Sequence, residues 1–99
     1  MDNLSSKLND FKKKITGWTP ENGFRSLQIN FAPEDIIFGR RIAQSVQKHG
    51  CCENPDDVVH DIRVEAEKDD KFAIWFVGQQ PDRLQTLCEF LIYRTPPKH

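Results

Sequence analysis

The stretch Asp61-Ile62-Arg63-Val64-Glu65-Ala66-Glu67-Lys68-Asp69-Asp70-Lys71-Phe72-Ala73-Ile74-Trp75-Phe76-Val77 decides how this chain is read. Ile62, Val64 and Ala66 alternate with Asp61, Arg63, Glu65 and Glu67, the period of a strand with one dry face. Phe72 to Val77 is a short, continuously apolar run, and the charged Lys68 to Lys71 separates the two. The pattern predicts a β-hairpin. A two-residue loop at Asp69-Asp70 sets Val64 opposite Trp75 and Ile62 opposite Val77. A three-residue loop instead turns Phe72, Ile74 and Phe76 to that side, because side chains change face at every residue. In either register the second strand is apolar on both faces, so it is covered twice or exposes a sticky surface. Whichever of Trp75 and Phe76 points outward argues for a partner.

Downstream, Gly78 ends the strand and Pro81 opens a helix with Asp82 in its first turn. Leu84, Leu87, Cys88 and Leu91 form its apolar stripe, and Thr95-Pro96-Pro97 stops it, leaving 94–99 as a frayed tail. Upstream, Cys51 to Asp57 breaks the periodicity, with Asn54-Pro55-Asp56-Asp57 reading as a turn. Before it, Pro33 to His49 is predicted helical. Pro33 suits the first helical position, Glu34 and Asp35 meet the positive end of the dipole, and Gly50 supplies the exit. Ile36, Phe38, Gly39, Ile42, Ala43 and Val46 share one side, and Arg40, Arg41, Gln44, Gln47 and Lys48 the other. Gly39 lets this helix lie close on a sheet. Ile37 falls off the apolar stripe, which marks it as a contact candidate or a stray surface residue.

Leu27, Ile29 and Phe31 alternate with Gln28 and Asn30, so Arg25 to Phe31 reads as a strand. Thr19-Pro20-Glu21-Asn22-Gly23 is turn chemistry that could pair Trp18 back onto Phe24 and Arg25. The N-terminal segment repeats Leu4, Leu8, Phe11, Ile15 and Trp18 at helical spacing from about Leu4 to Thr16, with Gly17 as a left-handed exit. Lys12, Lys13 and Lys14 complement the carbonyl end of that helix. The expected architecture is α+β, a two-layer sandwich. A three- or four-stranded, mostly antiparallel sheet carries three helices on one face, in a single domain spanning 1–99.

Composition narrows the function. Ninety-nine residues, 37% hydrophobic and 29% charged, are globular proportions for one domain. Fourteen basic against fifteen acidic side chains leave a formal charge of −1, so no global field draws the chain to nucleic acid or an anionic membrane. No run is long enough for a bilayer span, and no signal peptide is evident. The three cysteines, two of them adjacent at Cys51 and Cys52, read as reduced thiols, and a cytoplasmic location follows.

Among chemical candidates, Cys51, Cys52 and His49 are of zinc-binding type but badly spaced, since adjacent cysteines cannot readily share one tetrahedral ion. Cys51 or Cys52 beside His49 or His60 would make a Cys–His nucleophilic pair, without a visible orienting group. Cys88 lies on a stripe where a thiol acts as a small hydrophobe. The five glycines are scattered and form no phosphate loop.

Gly17-Trp18, Gly23 after a turn, the strand ending at Phe31, Glu34-Asp35, Arg41-Ile42-Ala43 and Pro55-Asp56 together resemble the pterin-4a-carbinolamine dehydratase family. The resemblance covers about two-thirds of the chain and implies an α+β subunit that dimerises through its sheet. That family carries a His-His-Pro triplet near the proline, where this chain has Glu53-Asn54-Pro55; its later histidine has no counterpart in Arg63 to Glu67. The resemblance therefore implies a scaffold without its acid–base groups, with His49 and His60 the internal substitutes if the activity persists. The resulting expectation is a non-catalytic protein-binding or regulatory module, a homodimer without cofactor, contacting partners through Trp75, Phe76, Ile37, Arg40 and Arg41. The alternatives are a dehydratase-like enzyme and a thiol- or metal-linked regulator.

Overall fold

The computed structural model describes residues 3–18, 31–50 and 53–94. Among them are five helices and no strand: α1 (Asn3–Ile15), α2 (Pro33–Lys48), α3 (Pro55–Lys68), α4 (Asp70–Val77) and α5 (Pro81–Arg94). The α+β sandwich is corrected to an all-α arrangement. The strand expected at Arg25 to Phe31 and the turn at Thr19 to Gly23 lie outside the described residues, Phe31 apart, as do Cys51, Cys52 and the tail beyond Arg94.

The expected hairpin is instead two consecutive helices. Pro55 occupies the first turn of α3, with Asp56 and Asp57 beside it and Lys68 in the last turn, so acids and base each match the dipole. Val58, Ile62 and Ala66 are buried at spacings of four, while Val64, the middle residue of the supposed alternation, is only half-buried. The charged Lys68-Asp69-Asp70-Lys71 is a junction between helices. Asp69 ends α3, and its Oδ1 accepts the backbone N–H groups of Lys71 at 3.0 Å and Phe72 at 3.3 Å, capping α4. Phe72, Trp75 and Phe76 then fall at i, i+3 and i+4 on the buried side, and Ile74 turns outward.

α2 packs on α5 and α3, α1 on α3, α5 and α4, and α4 on α3. One apolar core draws on all five helices, with Phe11, Phe72 and Phe76 its largest fully enclosed side chains. Phe11 meets Phe76 edge-on at 6.1 Å between centroids, and Phe76 stacks on Phe72 at 6.2 Å. Cys88 is fully buried there, on the apolar stripe where the sequence places it.

The three other helices match their expected spans within a residue or two. Gly17 and Gly50 both take φ of 76°, the left-handed conformation that favours glycine at a helix exit. The lysines ending α1 meet the acids opening two other helices: Lys12 Nζ lies 2.6 Å from Asp56 Oδ1, and Lys14 pairs with Asp82. Gly39 does allow close approach, but to α5 in place of a sheet. A Cβ there would lie 2.8 Å from Leu87 Cγ and 3.2 Å from Leu91 Cδ1.

Substitution of Gly39 by Val is therefore expected to destabilise the fold by about 1–3 kcal/mol through overpacking, more than the few tenths that leaving glycine returns in helix propensity. Urea denaturation reads this directly, and an unchanged or raised midpoint would show that α5 is not seated on this glycine.

Candidate functional site

Two surfaces flank α2, one apolar and one polar. The apolar surface follows from the switch of Phe72–Val77 from strand to helix. Asp35 Oδ1 accepts the Trp75 indole N–H at 2.7 Å; the Phe38 ring lies 5.6 Å from Phe72 and 5.5 Å from Trp75; Arg41 reaches Asp69 Oδ2 at 3.1 Å. Residue numbers rise along α2 as they fall along α4, so the two helices run antiparallel past each other. Between them lies a groove of about 450 Å³ lined by Glu34, Ile37, Phe38, Lys71, Ile74 and Trp75. Ile37 is 58% exposed and Ile74 74% exposed, the two large hydrophobic side chains so presented among the described residues.

Of the contact residues read from sequence, Ile37 stands on this rim and Arg40 is exposed beside it, three residues on. Trp75 is 6% exposed: its edge contributes to the groove wall while its N–H is consumed by Asp35. Phe76 is fully enclosed and reaches no surface, because a helix places it beside Phe72 and not on the far face of a sheet. A Trp75→Glu exchange would thus set a second carboxylate beside Asp35 and report on folding; the surface is probed at Ile74. Arg41 is half-buried and engaged, bridging Glu65 Oε1 at 3.4 Å and Asp69 while its guanidinium lies over the Phe38 and Phe72 rings at 5.2 and 5.4 Å. It clasps α2 to the α3–α4 junction.

Glu34, Lys71 and Ile74 are not among the contact residues read from the sequence. The signal for Ile74 was available once Phe72, Trp75 and Phe76 are set at helical spacing, since residue 74 then faces away from all three.

The polar surface lies between α2 and α3, a cleft of about 310 Å³ whose lining includes Gln44, Ser45, Lys48, His60, Asp61 and Glu65. At its edge Asp61 Oδ2 accepts Ser45 Oγ–H at 2.9 Å and pairs with His49 Nε2 at 2.8 Å; His49 Nδ1 lies 3.9 Å from Asp57 Oδ2. The three residue types are those of a hydrolytic triad, but in the wrong order. The carboxylate sits between hydroxyl and imidazole, so the imidazole is not placed to take the serine's proton. The trio fastens the end of α2 to α3. His60 lines the cleft while His49 is held by Asp61, so the two substitute histidines serve different places. Of the zinc-type set, only His49 is described, and among the described residues no three His, Cys, Asp or Glu side chains group as metal ligands.

Three carboxylates that tie helices together titrate low. Burial pushes the Asp35 carboxyl up, but hydrogen bonds from Trp75, the Ala32 backbone N–H and Arg83, with Arg83's charge, outweigh it and hold it below its usual range. Burial likewise opposes, and His49, Ser45 and Lys48 together overcome, at Asp61. At Asp69 the Phe72 N–H is the leading cause of the lowering, with Arg41 adding to it.

Comparison of the chain with protein-family models, with curated proteins and with solved structures gives no match.

Because the folded forms of these acids titrate below their unfolded values, the stability they contribute is complete above about pH 4 and is lost as pH falls through the lowered folded values. Asp35→Asn keeps an acceptor for Trp75 and gives up the charge facing Arg83. It is expected to cost about 1–3 kcal/mol at neutral pH and to shrink the further loss on acidification. Urea midpoints near pH 7 and near pH 3 measure both; an acid-induced loss as large in the variant as in the parent would remove Asp35 from this account.

Proposed function

We propose that this chain is a non-catalytic protein-binding or regulatory module whose contact surface is the groove between α2 and α4. The observation that carries the reading is the pair of isoleucines, Ile37 and Ile74, held out to solvent on two helices while their neighbours Phe38 and Trp75 turn inward. Single exposed apolar residues are ordinary on a protein surface, whereas two of them bordering one apolar groove form a patch of the kind used for partners. The polar side chains most suggestive of chemistry are engaged in holding helices together: Asp35 with Trp75 and Arg83, Asp61 with Ser45 and His49, Arg41 with Glu65 and Asp69.

The balanced charge supports a protein partner over nucleic acid, since no excess of basic side chains is available to displace counterions from a phosphate backbone. No helix among the described residues is long and apolar enough to cross a membrane. We place the module in the cytoplasm, where its three cysteines would stay reduced.

A photoreactive side chain at position 74 of the full chain, activated in the cells that make it, is expected to yield adducts with a second polypeptide. The same group at Glu67, exposed on α3, is expected to yield none. Absence of any intermolecular adduct from position 74 would overturn the reading.

A further inference from the structure

We draw no further inference here: the strongest candidate, the apolar groove between α2 and α4 that Ile37 and Ile74 border, belongs to the surface already described, and nothing in the structure shows what covers it.

Discussion

An eight-residue helix has too few hydrogen bonds beyond its costly first turn to persist alone, and α4 is eight residues long. What holds it is a set of contacts made by its neighbours. Asp69 caps its first turn, Asp35 takes the Trp75 N–H, and Phe11 and Phe38 receive Phe76, Phe72 and Trp75. Once these fix the helix's rotation, every other side chain on it is placed. Phe72 and Phe76 enter the core, Trp75 closes the wall, and Ile74 has nowhere to go but outward. The exposed apolar groove is a consequence of how α4 is anchored.

The same economy governs the polar residues. Carboxylates sit at the points where helices must be joined: Asp35 between α2, α4 and α5, Asp61 between α2 and α3, Asp69 between α2, α3 and α4. The basic end of α1 faces the acidic starts of α3 and α5. Exposed pairs of this kind contribute little individually, but the partly buried ones, backed by two or three hydrogen bonds each, orient the helices they connect. A carboxylate committed to an indole and a guanidinium, or to a hydroxyl and an imidazole, is a fastening. That commitment is why the surface, and not a constellation of reactive groups, carries the functional reading.

How much was legible in the chain follows from element length and from end signals. α1, α2 and α5 each sustain their apolar stripe over several turns and carry a recognisable start or stop, Pro33 with two acids, Pro81 with Asp82, Gly17 and Gly50 as exits. α3 and α4 were misread because Ile62 and Ala66 satisfy the spacing of four as well as the period of two, and Val64 between them tips a short window toward a strand. Phe72 to Val77, apolar throughout, has no periodicity to read. The end signals were nonetheless present, since Pro55-Asp56-Asp57 and the capping aspartate at 69 are helix-start chemistry as much as turn chemistry. Ile37 stood out as an apolar residue off its stripe. Ile74 could not, because its side depends on which element contains it.

By itself, then, the order of residues determined three helices with their ends, a core rich in phenylalanine and leucine, a near-neutral surface, and the anomaly of Ile37. The tertiary structure decided that residues 55–77 are two helices, that Trp75 and Phe76 are inside and Ile74 outside, and that Ile37 and Ile74 border one groove. The physical reason is that a short apolar segment has no strong conformational preference of its own. Its backbone hydrogen bonds can be closed within a helix or across a sheet, and the choice falls to whichever arrangement buries its large side chains against partners far away in sequence.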